Sequence, residues 1–143
     1  MIGAGEQAPP LVAHDEAGNR RTFAFPALVV FLKTTCPTCQ FALPYLKRLP
    51  ESSPGLLAVS QDPPSTTQRF AARFGAELPY CFDPAEAGYS LSNAFGITHV
   101  PTLFLIDSRG KVETVIEGFD KLALEDLGIE FLPEEKLPLY KPG

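Results

Sequence analysis

Continuous apolar runs and segments with helical spacing take turns along most of the chain. The segment 27–34 opens with six apolar residues, which is typical of a central strand buried on both faces. Shorter apolar runs predict the other strands, at 11–13, 22–25, 56–60, 80–82, 102–106 and 111–116. The spacing of apolar residues between these strands predicts helices, at 39–49, 66–74, 85–95 and 120–127.

Proline, glycine and capping residues mark where these helices bend, begin and end. Pro44 lies inside the first helix, where its missing N–H removes a backbone hydrogen bond and predicts a kink. Ser65 is predicted to cap the second helix and Gly75 to end it. Asp120 stands at the start of the last helix, where a carboxylate can accept from unpaired backbone N–H groups.

The order of these elements indicates an α/β fold. Strands that alternate with helices predict a central, mostly parallel sheet with helices on both faces, and the last two strands add an antiparallel edge hairpin. The length of 143 residues fits a single domain, residues 1–143, with residues 1–25 as an N-terminal lead-in. The Pro-rich tail, residues 133–143, is expected to lie on the surface or to fray, without any part in the chemistry.

Charge and composition exclude several classes of function. The formal net charge of −5 argues against nucleic acid as a partner, because phosphate binding needs clustered Lys and Arg. No run approaches the roughly 18 apolar residues that a membrane span needs. The N-terminus has neither the basic region nor the apolar run of a signal peptide. The protein is therefore expected to be cytoplasmic, or extracytoplasmic if a signal segment was removed.

The clearest chemical feature is the pair of cysteines in Cys36-Pro37-Thr38-Cys39, directly after the apolar run. Side chains three residues apart at the start of a helix share a face and come within reach of a disulfide. A helix N-terminus also favours the thiolate, which is the form that attacks disulfides. We therefore predict a redox-active pair with Cys36 as nucleophile and Cys39 as resolving thiol.

The third cysteine, Cys81, stands between Tyr80 and Phe82. A lone cysteine between aromatic residues is usually a small buried apolar residue. A third redox thiol or a contact in a dimer are the alternatives for it.

Three further segments accompany the CxxC motif. They are Pro44 five residues after the second cysteine, Val59-Ser60-Gln61-Asp62 at a strand end, and Val100-Pro101-Thr102 before a later strand. Together with the motif they resemble the thioredoxin-fold thiol-disulfide oxidoreductases related to TlpA and ResA. The resemblance covers roughly residues 5–128. It implies a thioredoxin-like fold and an enzyme that reduces or exchanges protein disulfides without a cofactor, with a disulfide-bonded protein as substrate and an unidentified electron donor or acceptor.

The same resemblance implies roles for residues around the pair. Pro101 matches the family's cis-proline, which faces the two cysteines, and Val100 would offer its backbone to a substrate strand. Substrate contacts are accordingly expected at Pro37, Thr38, Val100 and Pro101.

Two further residues are candidate modulators of the pair. Lys33 could lower a thiol pKa and His99 could shuttle a proton, the alternatives being a solvated lysine and a loop histidine without a role.

The chain departs from the thioredoxin pattern in three places. Val30 stands where thioredoxins carry a buried Asp, Thr35 stands where they carry Trp, and the proline of the motif takes the first inner position instead of the second. Without that acid, water or Lys33 is expected to manage the proton of Cys39.

Two other functions stay open on the sequence. A peroxiredoxin-like thiol peroxidase would have Thr three residues before its reactive cysteine, where this chain has Lys33. A copper-binding protein of the same fold would use Cys36, Cys39 and His99, although such proteins space their cysteines by one more residue.

Overall fold

One sheet of seven strands forms the centre of the protein, whose computed structural model describes residues 1–143. The strands are β1 Leu11–His14, β2 Arg20–Phe23, β3 Ala27–Leu32, β4 Leu56–Ser60, β5 Tyr80–Phe82, β6 Thr102–Ile106 and β7 Val112–Glu117, followed by β8 Phe119–Asp120 and β9 Tyr140–Lys141 in a separate two-stranded sheet. The helices are α1 Pro37–Ala42, α2 Pro64–Phe74, α3 Ser90–Phe95 and α4 Lys121–Asp126, with 3₁₀ helices at Leu43–Arg48 and Ala85–Ala87.

The sheet is mixed, in the order β2-β1-β5-β4-β3-β6-β7. Its centre, β5-β4-β3, is parallel, as expected of strands joined through helices. The other pairings are antiparallel, whereas the sequence predicted antiparallel pairing only for the edge hairpin β6–β7. The reason is that the lead-in forms the hairpin β1–β2 and joins one edge, while β6 enters beside β3 in the opposite direction.

Both faces of the sheet are covered, and β3 shows why its sequence is apolar throughout. All six of its residues are buried. Leu28, Val30 and Leu32 belong to the core cluster that includes residues of α1, α2 and α4. Val29 and Phe31 belong to the second cluster, which includes residues of α3 on the opposite face. Alternate side chains of a strand point to opposite faces, so a strand between two cores needs apolar residues at every position. The predicted α/β architecture with helices on both faces is confirmed.

Prolines decide where two of the helices begin and end. α1 stops at Ala42, and Pro44 lies in the first turn of the 3₁₀ helix that continues the path, so the predicted single helix is two segments. The prediction that Ser65 caps α2 is wrong, because α2 already begins at Pro64, with Pro63 as its N-cap. Gly75 ends α2 in the left-handed region, with φ of 67°, as predicted.

The predicted helix at 85–95 is interrupted at two residues. Gly88 and Tyr89 have φ values of 68° and 50°, so they separate a 3₁₀ turn from α3. Asp83, which is buried, accepts hydrogen bonds from the backbone N–H groups of Leu91 and Ser92 at 3.0 and 2.7 Å. These are donors of the first turn of α3, so a carboxylate outside the helix fixes where α3 begins.

The tail is ordered against the rest of the fold. Glu135 forms an ion pair with Arg48, and Lys141 of β9 pairs with Phe119 of β8. The hydroxyl of Thr38 in α1 donates to the carbonyl of Pro142, so the end of the tail packs beside α1. None of the helices combines the length and the apolar character needed to cross a bilayer.

Candidate active site

The two cysteines of the motif lie where β3 leads into α1, as free thiols. Cys36 is the N-cap residue of α1, and its sulfur accepts a hydrogen bond from the backbone N–H of Cys39 at 3.1 Å. Pro37 follows as the first helical residue, a position where a missing N–H removes no helical hydrogen bond. Cys36 is half-buried, whereas Cys39 is fully buried in the core below α1.

The surroundings drive the pKa values of the two thiols apart. The side chain of Cys39 donates to the sulfur of Cys36, and the backbone N–H groups of Cys39 and Thr38 add to this, so the pKa of Cys36 falls to about 6. Burial raises the pKa of Cys39, and its hydrogen bond to Cys36 raises it further. The arrangement therefore favours a thiolate at Cys36 and a protonated thiol at Cys39.

Val100 lies opposite the pair, at the end of the loop that leads into β6. Its carbonyl oxygen lies 3.3 Å from the Cys36 sulfur and accepts a hydrogen bond from it when the thiol is protonated. The peptide bond between Val100 and Pro101 is cis, and Pro101 is buried. The structure thus brings together Cys36, Cys39 and Val100, which lie on two separate segments of the sequence.

A carboxylate beside the pair was not among the predicted site residues. One oxygen of Asp62 accepts from both the backbone N–H and the hydroxyl of Thr34, at 2.7 and 2.8 Å. Gln40 of α1 donates to the carbonyl of Thr34 at 3.0 Å. The charge of Asp62 is one of the causes that raise the pKa of Cys39. The available signal was its place at the carboxyl end of β4, because β3 and β4 are parallel neighbours and end at the same edge.

The remaining predicted site residues take different positions. The hydroxyl of Thr38, which is buried, donates to the carbonyl of Pro142 at 2.5 Å. The side chain of Lys33 is exposed, and its backbone carbonyl accepts from the N–H of Cys36 at 3.2 Å. His99 places its Nε2 2.9 Å from a carboxylate oxygen of Glu117.

The third cysteine lies in the other core cluster, and His99 does not complete a metal site with the pair. Cys81 is fully buried in β5, within the second core cluster, and burial raises its pKa to about 12. Its predicted burial is confirmed. His, Cys, Asp and Glu side chains form no group of three or more with the arrangement of a metal site. The ring of His99 is directed to Glu117, so the geometry does not favour a copper site with the two cysteines.

Comparisons with known proteins agree with this geometry. The Redoxin family matches residues 4–127. Thiol-disulfide oxidoreductase ResA of Geobacillus thermodenitrificans is 32% identical over 82% of this chain and 71% of its own length. The ResA of Halalkalibacterium halodurans is also 32% identical, over 99% of this chain and 80% of its own.

A solved structure shows the same fold. The putative thiol:disulfide interchange protein DsbE from Chlorobium tepidum is similar with a TM-score of 0.72 and 23% identity, over 89% of this chain and 96% of that one. The expected thioredoxin-like fold is thereby confirmed. On its sequence, its fold and its paired thiols, the chain belongs to the Redoxin family and is a thioredoxin-fold thiol-disulfide oxidoreductase of the ResA type.

Proposed function

We propose that Cys36 and Cys39 carry out the thiol–disulfide exchange of this oxidoreductase, on disulfide bonds of protein substrates. The observation that carries the proposal is the asymmetry of the two thiols. The pKa of the half-buried Cys36 is lowered to about 6, while that of the buried Cys39 is raised. The Cys36 sulfur is therefore a thiolate that can attack at neutral pH, and Cys39 stays protonated until the second exchange.

The reaction proceeds in two exchanges. The Cys36 thiolate attacks one sulfur of the substrate disulfide, so a mixed disulfide forms and the other substrate sulfur leaves as a thiolate. Cys39 then loses its proton and attacks the sulfur of Cys36, which releases the second substrate thiolate. Two electrons pass to the substrate, and the chain ends with a Cys36–Cys39 disulfide. A dithiol donor reduces that disulfide for the next cycle, and with the direction reversed the same steps oxidise a substrate.

The groups around Cys36 support a docking edge for substrate. The carbonyl of Val100 lies 3.3 Å from the Cys36 sulfur, so a polypeptide that reaches this sulfur passes along the backbone of Val100. Pro37 is exposed next to Cys36, whereas Thr38 and Pro101, which follow Pro37 and Val100 in the chain, are buried. We assign substrate contact to these four residues, with Val100 acting through its backbone.

For the proton of Cys39 we propose Asp62 in place of Lys33. The charge of Asp62 acts on the pKa of Cys39, while the Lys33 side chain is exposed and contributes to the site through its backbone. His99, which pairs with Glu117, stays a candidate for relaying protons to solvent.

We further infer that residues 1–143 act as one domain. The lead-in contributes β1 and β2 to the seven-stranded sheet, and the tail contributes β9 beside β8.

The direction of electron flow follows from the reduction potential of the pair, measured against a glutathione buffer. A value of about −270 mV indicates a reductant, and one of about −120 mV an oxidant.

The assignment of the two cysteines is tested by insulin reduction with dithiothreitol as electron donor. We expect Cys36→Ser to abolish turnover. We expect Cys39→Ser, reduced beforehand and freed of dithiothreitol, to accumulate a mixed disulfide with insulin, visible on a non-reducing gel. Cys81→Ser is the matched control and is expected to keep full activity, because Cys81 lies in the other core cluster. Turnover by the Cys36→Ser variant would contradict the proposal.

A further inference from the structure

The C-terminal end of the chain reaches the catalytic pair. We call residues 140–143, which comprise β9, Pro142 and Gly143, the terminal strap. β9 pairs antiparallel with β8, with Lys141 opposite Phe119. Beyond β9, the carbonyl of Pro142 accepts the hydrogen bond from the hydroxyl of Thr38, inside the CxxC motif. The terminal strap thus runs from the second, smaller sheet to the residue beside Cys39.

The last residue of the strap meets Val100. Gly143 lies so close to the Val100 carbonyl that a Cβ on Gly143 would overlap this oxygen. The same carbonyl accepts from the thiol of Cys36, so the strap and the nucleophile share one backbone group. On the other side, a Cβ on Gly118 would overlap the carbonyl of Lys141. The strap therefore fills the space along Val100 in which a substrate strand would dock.

The strap is held mainly through its backbone. Tyr140 is 54% exposed and the preceding Leu139 is 65% exposed, so neither side chain is an anchor in the core. Its backbone attachments are the β8–β9 pairing and the bond from the Thr38 hydroxyl, and just before the strap the N–H of Lys121 donates to the carbonyl of Leu139 at 2.9 Å. The Lys141 ammonium adds one side-chain contact, 5.7 Å from the centre of the Phe41 ring. Release of the strap therefore exposes little apolar surface, and another extended chain can replace its backbone contacts.

We propose that the terminal strap is an intramolecular occupant of the polypeptide-docking edge, and that an extended segment of a substrate protein displaces it from Val100 to reach Cys36. The inference rests on the proposed function, since it concerns access to the same thiol. The partner is an unfolded or locally extended polypeptide that can supply backbone hydrogen bonds. A small disulfide does not need this edge, so the strap discriminates between the two kinds of substrate.

The test compares the full chain with two shortened chains, one ending at Lys141 and one ending at Leu139. The first loses the contacts with Thr38 and Val100 but keeps β9, while the second loses the whole strap. We measure kcat/KM for insulin and, in parallel, the rate with the small disulfide 5,5′-dithiobis(2-nitrobenzoic acid). The apparent affinity for insulin is the intrinsic affinity multiplied by the fraction of molecules whose docking edge is open. If the strap occupies the edge in most molecules, its removal should raise kcat/KM for insulin about fivefold in both shortened chains. The rate with the small disulfide is expected to change less than about twofold, on the same reasoning.

Leu139→Ser in the full chain is the matched control, because it changes an exposed side chain just before the strap and leaves the strap in place. Thermal melting shows which shortened chain is folded, and the chain ending at Lys141 keeps the test available if the longer deletion unfolds. An unchanged or lower insulin kcat/KM overturns the proposal, and so does an equal rise for both substrates, which would mean altered reactivity of Cys36. Failure of the proposed function itself is distinct, because the full chain would then not reduce insulin at all.

Discussion

At the scale of single residues, Asp62 holds the loop that leads to Cys36 against the end of β4. One of its oxygens accepts two hydrogen bonds from Thr34, which is itself buried, two residues before Cys36. If both bonds are lost, the backbone N–H of Thr34 is left without a partner, and a buried donor in that state costs about 1–3 kcal/mol. Asp62 therefore has a structural part in addition to its charge.

Two substitutions separate these two parts. We expect Asp62→Ala to lower the free energy of unfolding by about 1–3 kcal/mol, because it removes the acceptor for Thr34. Asp62→Asn keeps an oxygen in place, so its loss should be smaller, while the pKa of Cys39 falls because the negative charge is gone. Urea denaturation and thiol titration measure the two effects. Equal destabilisation in both variants would mean that the charge, and not the two hydrogen bonds, holds the loop.

At the scale of elements, two helices begin at carboxylates in different surroundings. Asp120 is the N-cap of α4 and accepts from the N–H of Ala123 at 3.1 Å in a partly buried setting. Asp83 is buried and accepts from two N–H groups of α3, although it lies outside that helix. Removal of a buried carboxylate that accepts from two donors should lower the stability more than removal of a partly exposed cap, because water can replace the cap.

We therefore expect different stability losses for the two alanine variants. Asp120→Ala should lower the free energy of unfolding by about 1 kcal/mol, which is the usual loss for a helix cap. Asp83→Ala should lower it by about 2 kcal/mol or more, because two buried donors lose their partner. Chemical denaturation of both variants at pH 7 gives the comparison. A smaller loss for Asp83→Ala than for Asp120→Ala would show that water replaces the carboxylate inside the fold.

At the scale of the whole molecule, the thiol pair links stability to pH. Folding lowers the pKa of Cys36 from its ordinary value of 9.0 to about 6, so the folded reduced protein holds the thiolate more readily than the unfolded chain does. This contribution to stability is present at high pH and is lost as pH falls through about 6. The oxidised protein has no such thiolate. The Tm of the reduced protein, minus that of the oxidised protein, should therefore rise between pH 5 and 8, as differential scanning calorimetry can show. A difference that falls over this range would contradict the lowered pKa of Cys36.

Which parts of the molecule could be predicted from the sequence depends on how local their causes are. The strands Leu56–Ser60, Tyr80–Phe82 and Thr102–Ile106 have the predicted bounds, because each is a short apolar run. The break in the helix at 85–95 could not be found, since it depends on the backbone of Gly88 and Tyr89 and on a carboxylate seven residues before α3.

The site shows the same division. Cys36 and Cys39 are visible as a motif because their spacing is itself the signal. The bond between Thr34 and Asp62 joins residues 28 apart in sequence, and that between Thr38 and Pro142 joins residues 104 apart. Contacts of this kind arise from the sheet order and the path of the tail, neither of which a local pattern contains.

The complete burial of Cys81 has a practical consequence. Its thiol lies in a strand of the central sheet, in a different core cluster from Cys39, and is inaccessible to reagents in the folded state. In a chain that carries Cys36→Ser and Cys39→Ser, labelling of this sulfur can occur only when the sheet opens. The labelling rate of the Cys81 sulfur then measures how often the central sheet of the native protein opens.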